Sequence, residues 1–327
     1  MARADYEKIK SEFEKLVLTF RSHDINIVKE VITDNANVQL GTIEDSRFGY
    51  CGKDGFVSFV KNYPNSKTLN IDIANFVCHI RGNEARQLAY VVMTAIEDGE
   101  YYLYCHIFVN HWVKEENWEL DDIKMEVYDN SGSLKKKYQE VWHFEDQKCK
   151  GLIDNAHPLV IDGNVDSPWK FSTEESELNE FEKIKDAITE YNYGVDLLAF
   201  DHVDRAFSND LVCTGTAEIM GVHKHDRMAM LKYHRQTSRI WAHAYKYLSI
   251  NIHEDEAIVH AKRLVGERHP EVPFQWTDKS SNKEVICADL DVIMSKKTGR
   301  WQIKGFAYEN SQDYFDLNKE GLYRDLI

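Results

Sequence analysis

One hairpin, written twice, limits what this chain can fold into. From Tyr101 to Val127, the alternating residues Tyr102, Tyr104, His106 and Phe108 run into Trp112, a charged turn, and then Trp118-Glu-Leu-Asp-Asp-Ile-Lys. From Val285 to Tyr308, a second apolar run passes through Ser295-Lys-Lys-Thr-Gly-Arg into Trp301-Gln-Ile-Lys-Gly-Phe. Trp301 lies 183 positions after Trp118, and this offset is carried back through the turn and the preceding strand, setting Asp289 opposite His106. Two long strands joined by a polar turn, with a Trp opening the return strand, predict two copies of one antiparallel unit.

The stretches before each hairpin repeat the same order. Tyr6, Ile9, Phe13, Leu16, Val17 and Phe20 recur at helical spacing over roughly residues 4–20. Asp24 is placed to cap a second short helix, Asn37-Val-Gln-Leu reads as a strand, and a third helix runs through Phe56, Phe59 and Val60 toward Pro64. The period then changes to two, predicting strands near 69–80, 86–97, 100–113 and 117–128. In the second half Leu178, Phe181, Ile184, Ile188 and Tyr191 mark a helix, His202 to Phe207 another, and Met228 to Tyr233 a third. Strands follow near 237–253, 257–266, 284–294 and 299–308. The Gly41–Gly215 separation of 174 makes the second copy nine residues longer between these glycines and the Trp, growth expected mainly in the 267–283 loop.

Helices followed by an antiparallel meander give an α+β class and not alternating βαβ units. The expected domains are 1–128 and 174–310, joined by an ordered connector over 129–173 and followed by a tail over 311–327. The connector is punctuated by Pro158, Gly163 and Pro168 but keeps Trp142, Phe144 and Trp169, so it is expected to lie on a domain.

Charge and cysteine usage narrow the function classes. A formal charge of −15 repels phosphate backbones, and Lys135-Lys136-Lys137 is too short a basic run to reverse this, so no nucleic-acid partner is expected. The six cysteines show no close pairing and read as reduced, buried thiols. No long apolar run or signal core is present, so the chain is expected to be cytoplasmic and without a membrane partner. No G-x-G-x-x-G, P-loop, G-x-S-x-G or H-E-x-x-H motif occurs, and His223-x-His225 lacks a third ligand at useful spacing, so neither a cofactor nor a metal is expected.

In this order of elements, and in the hairpins carrying Trp118 and Trp301, the chain resembles tandem domains of the nuclear transport factor 2-like superfamily. That group includes SnoaL-type polyketide cyclases, ketosteroid isomerases and scytalone dehydratase. The second copy resembles lumazine-binding-like members in Tyr193-Gly194 ahead of Asp201, in Phe207-Ser-Asn-Asp, and in Lys297-Thr-Gly-Arg-Trp-Gln-Ile-Lys. The resemblance implies two cone-shaped domains, each a curved antiparallel sheet wrapped around N-terminal helices, with a largely apolar pocket inside. It also implies pairing through the outer sheet face, here most simply between the two domains as an internal pseudo-dimer, with a larger homo-oligomer left open.

Enzymes of the resembled group place an ionisable residue in an apolar cavity, where desolvation sharpens it as an acid or base. The strand residues that fit are Asp289, His243, Tyr245 and Arg263, taken as catalytic candidates. Trp241 and Asp291 in the second copy, and Tyr90, Tyr102, Tyr104 and His106 in the first, are ligand-binding candidates. The plainer reading of Asp289 and Asp291 is the wetter face of an amphipathic strand, and of His106 a core histidine. Two functions stay open. One is a binder of a small hydrophobic or aromatic molecule, acting as a cofactor-independent isomerase, cyclase or dehydratase. The other is a non-catalytic binding or assembly module whose cones are filled by their own side chains.

Overall fold

The computed structural model describes residues 2–41, 52–65, 68–98, 100–131, 134, 160–172, 178–214, 220–237, 240–268 and 285–309. The basic run 135–137, most of the connector, the 269–284 loop and the tail from 310 lie outside these residues. The chain divides into two units, Met1–Glu177 and Leu178–Ile327, each built of helices and one antiparallel meander.

In the first unit, α1 (Ala2–Ser22) and α2 (Ile25–Val31) precede β1 (Ile32–Gly41) and α3 (Gly52–Asn62). As expected, Asp24 caps α2, accepting the Asn26 N–H at 3.0 Å. The meander is β2 (Asn70–Arg81), β3 (Glu84–Glu97), β4 (Glu100–Lys114) and β5 (Trp118–Ser131), and β1 closes the sheet by pairing parallel to β5, giving the order β1-β5-β4-β3-β2. A short α4 (Pro168–Phe171) belongs to the same unit. The segment leading into it is tied down by the buried Asp166, which accepts from Lys124 at 2.8 Å and Arg86 at 3.3 Å.

The helices cover one face of this sheet, and aromatic side chains fill the space between. Phe13 meets Phe108 edge-on at 5.4 Å, and Phe20 packs against Phe59, Tyr63 and the His106 ring at 5.5, 5.1 and 6.3 Å. The edge-on and tilted contacts are the geometries that aromatic rings prefer in a close-packed core.

The second unit repeats the plan. It contains α5 (Glu180–Asp196), α6 (Phe200–Ala206), α7 (Lys224–Thr237), then β6 (Ile240–His253), β7 (Glu256–Arg268), β8 (Val285–Ser295) and β9 (Gln302–Glu309) in the order β6-β7-β8-β9. The N-cap of α5 is Asn179. Asn179 and Glu182 form a reciprocal capping box, which satisfies two backbone donors at once. Phe207 and Thr214 make parallel bridges to Ile303 and Ala307 at the free edge of β9, in the place β1 holds against β5.

Strand pairing corrects the offset between the copies. Glu84 pairs with Val113 and Glu256 with Ser295, so the second copy runs 172 positions ahead on β7 but 182 on β8. Ten residues are therefore added between β7 and β8. Lys114 pairs with Trp118, whereas Ser295 pairs with Gln302, so the next turn is one residue longer and the offset becomes 183 only on β9. Asp289 thus matches Ile107, and the residue matching His106 is Ala288. Because strand side chains alternate faces, this single residue moves Asp289 to the other side of the sheet.

Candidate functional site

The site is built where α5 lies against β6. Lys185, Thr189, Asn192 and Asp196 are spaced by four, three and four residues, which puts them on one stripe of the helix. The apolar residues Ile184, Ile188, Tyr191 and Val195 take the adjoining stripe, and Tyr191 packs on Phe207 and Phe306 at 5.2 Å each. Lys185 is exposed, but Thr189, Asn192 and Asp196 are buried and do not face water. Asp196 accepts the backbone N–H of His243 at 2.9 Å and meets its ring Nδ1 at 2.5 Å. Lys185 sits 5.2 Å above the Tyr247 ring. Burial pushes the Tyr247 phenol up. His243 is 4% exposed and Asp196 1%.

His243, Tyr245 and Tyr247 alternate along β6 and so share the face toward α5. Tyr245 is directly opposite Arg263 on β7, which in turn is opposite Ala288 on β8. The structure thus gathers His243, Tyr245 and Arg263 from the sequence-derived set. Trp241 has the matching position in β6, but its side chain lies outside the described residues. Asp289 is not brought in: it pairs with Lys262 on the opposite, exposed face, while Leu290 and Val292 are buried. Asp291 lies on that outer face as well, hydrogen-bonded to His260 at 2.5 Å and not to Arg263. The apolar residues of β8 occupy the helix side because their burial outweighs any polar alternative there.

The acid of the site is Asp196, which sequence reasoning missed. Its signal was the polar stripe of α5, which from sequence alone reads as a solvated helix face. On the same helix the buried Glu190 points the other way, bonded to His202 at 2.9 Å and Arg300 at 2.6 Å and paired with Arg205, so it braces α5 against α6 and the β8–β9 turn.

The first unit lacks this set. By strand pairing Ile71, Ile73 and Val91 stand where the second unit has His243, Tyr245 and Arg263. His106 is fully buried, stacked on Phe20, and burial pushes its ring well below the ordinary histidine range. Tyr90 pairs with Ile107, while His106 pairs with Val91, so Tyr90 and His106 are on opposite faces and do not line one pocket. The side chains of Tyr102 and Tyr104 lie outside the described residues. Cys78, Cys105 and Cys213 are buried. Among the described residues no group of three or more His, Cys, Asp or Glu is placed to hold a metal, and no helix is long and apolar enough to cross a membrane.

No protein-family model matches the chain, and no curated protein does. Solved structures similar to it include LinA, at 12% identity, TM-score 0.35, covering 40% of this chain and 93% of that one. The hexachlorocyclohexane dehydrochlorinase LinA-type3 of Novosphingobium barchaimii is similar at 12% identity and TM-score 0.33, covering 40% and 88%. A nuclear transport factor 2-like superfamily protein of Salmonella enterica serovar Typhimurium is similar at 12% identity and TM-score 0.33, covering 38% and 92%. Residue roles rest on this chain's own geometry. By the order of its helices and strands, the chain carries two α+β units in tandem, each of helices followed by an antiparallel meander.

Proposed function

We propose that the second unit binds a small hydrophobic or aromatic molecule between α5 and β6 and acts on it as a cofactor-independent isomerase, cyclase or dehydratase. The observation that supports this is the enclosed Asp196–His243 pair, set among apolar neighbours and absent from the equivalent place in the first unit. An ionised Asp196 fixes the ring proton on Nδ1 and leaves Nε2 as the basic nitrogen. His243 then removes a proton next to a carbonyl, and the Tyr245 hydroxyl donates to the developing oxyanion. Arg263, across from Tyr245, supplies positive charge beside it. These steps use only side chains of this chain.

The aromatic filling of the first unit favours the second reading for that half: a non-catalytic module whose helices and sheet close on their own rings. The test of the catalytic reading is proton exchange. The full chain is incubated in D2O with acetophenone, 1-tetralone and related aryl ketones, and loss of the α-proton signal is followed by NMR. Exchange above the buffer rate that disappears in His243→Ala is the expected result. Equal rates in both proteins for every ketone would remove the proposal.

A further inference from the structure

Between the two ends of the polar stripe lies a side chain that the proposed reaction does not use. Asn192 is 0% exposed, and neither its Oδ1 nor its Nδ2 has a hydrogen-bond partner among the described residues. An amide buried in this way departs from the rule that enclosed polar groups are paired. On one side Asp196 is engaged with His243; on the other, Thr189 Oγ1 and the Tyr247 hydroxyl are, like Asn192, buried with no hydrogen-bond partner among the described residues. Asn192 is one helical turn from Asp196, a rise of about 6 Å. At the corresponding position of the first unit's α1 stands Val17, taking Asp5 as the counterpart of Glu180, so the packing of this fold does not require an amide there.

We infer that Asn192 sets the specificity of the second unit's site, by reading an edge of the ligand that presents a hydrogen-bond acceptor and a donor side by side. This rests on the reading that the α5–β6 site takes a small aromatic molecule, and it names which kind. A carboxamide offers one acceptor and two donors in a plane, and its complement is the –CO–NH– edge of a lactam or its vinylogous hydroxy-carbonyl equivalent. Such a ligand satisfies both halves of the amide at once. A hydrocarbon ring of the same size leaves both unsatisfied, and a ligand with only an acceptor leaves the Oδ1 orphaned. Discrimination between these is large where the protein group is already desolvated, since the wrong ligand leaves it unpaired. The edge held by Asn192 places the rest of the ring one turn along, beside His243.

The experiment uses three rings of one shape: quinolin-2-one, its N-methyl derivative, and naphthalene. Binding to the full chain is measured by calorimetry and located by the methyl signals of Ile188 and Val195, which flank Asn192 on α5. Quinolin-2-one is expected to bind wild type at least tenfold more tightly than the other two. In Asn192→Leu the preference collapses while naphthalene binds at least as well as before, and the thermal midpoint of the unliganded variant rises. Naphthalene bound as tightly as quinolin-2-one in wild type overturns the specificity role and leaves the binding site standing. So does a preference that survives in Asn192→Leu, which would mark Asn192 as a host for a buried water only. If none of the three rings moves the Ile188 and Val195 signals, the site itself fails, and this inference with it. Should Asn192→Leu not fold, the comparison of quinolin-2-one with its N-methyl derivative on wild type still decides.

Discussion

Trp301 donates its indole N–H to Glu180 at 2.8 Å, and Lys296 bonds the same carboxylate oxygen at 2.7 Å. The first unit holds the same device: Trp118 and Lys114 converge on one oxygen of Asp5, at 2.9 and 2.6 Å. In both, the lysine also lies over the indole ring, at 5.8 and 5.6 Å. The Trp that opens each return strand is thus a clamp between the meander and the first turn of the first helix. An acid at a helix N-terminus also complements the helix dipole. Duplication of this three-residue clamp, on top of the repeated strand order, ties the two units together at the level of side chains.

The clamp sets a pH dependence. Hydrogen bonds from Lys296 and then Trp301 hold Glu180 down at about 2. A carboxylate depressed in the folded state contributes stability that is complete above its unfolded pKa of about 4.5 and is lost as pH falls toward 2. Glu180 is 41% exposed, so screening limits the effect to about 1 kcal/mol or less. Glu180→Gln should therefore lower the melting midpoint at pH 7 and flatten its decline between about pH 4.5 and 2. Circular dichroism melts of both proteins across that range check this. Parallel acid limbs would show that the clamp carries no titrating stability.

Asp196→Asn should change the tautomer of His243. If the amide oxygen keeps the His243 backbone N–H, its NH2 group faces Nδ1, which must then accept, and the ring proton moves to Nε2. Nitrogen-15 NMR of the labelled ring distinguishes the two forms directly. The fold should survive, because the two residues remain bonded, while proton-exchange activity falls by about 10²–10⁴, the usual worth of a positioned base. An unchanged tautomer with unchanged exchange would mean that Asp196 has no part in the chemistry.

Most of the fold was legible because period-two runs bounded by turn residues admit few other readings. The strands predicted at 86–97 and 100–113 became Glu84–Glu97 and Glu100–Lys114. The site was legible only where strand parity decides it. His243, Tyr245 and Arg263 were placed by alternation within β6 and a short hairpin to β7. Asp289 was misplaced because the Trp-to-Trp offset hides one extra residue in the β8–β9 turn, and a one-residue slip inverts a strand. Asp196 and Asn192 were invisible for another reason. A polar stripe on an amphipathic helix reads as a wet surface unless it is known that the facing strand presents His and Tyr instead of water.

Gly194 lets α5 pack tightly on the start of α6. A Cβ there would stand 2.7 Å from the Val203 Cγ2, 2.8 Å from the Val203 backbone nitrogen and 2.9 Å from the Ala199 carbonyl oxygen. Ala is the better helix former by about 1 kcal/mol, but two of the three obstructing atoms are backbone and cannot rotate away. Gly194→Ala should destabilise the second unit by about 1–3 kcal/mol net, the usual range for an overpacked core. Adding Val203→Ala should relieve only the side-chain part. Denaturant melts of the single and double variants test this, and full recovery in the double variant would place the whole clash on the valine side chain.

The first unit offers the complementary test, of a histidine kept neutral by packing. Burial pushes the His106 ring well below its ordinary range, with Phe20 stacked on one side and Phe108 tilted against it at 5.8 Å. A histidine depressed in the folded state takes up its proton only on unfolding. Its neutral form therefore favours folding fully above an unfolded pKa of about 6.5, and this contribution is lost as pH falls below it. His106→Phe keeps an aromatic ring in the stack and removes the titration. Its melting midpoint should hold between about pH 6.5 and 5, where that of wild type declines. Phe20→Ala, by contrast, opens a hole among Phe56, Phe59, Tyr63 and His106 and should cost about 3–5 kcal/mol at every pH. If His106→Phe followed the wild-type acid limb, the histidine would have to be protonated within the fold, and a stack of neutral rings would no longer describe the centre of the first unit.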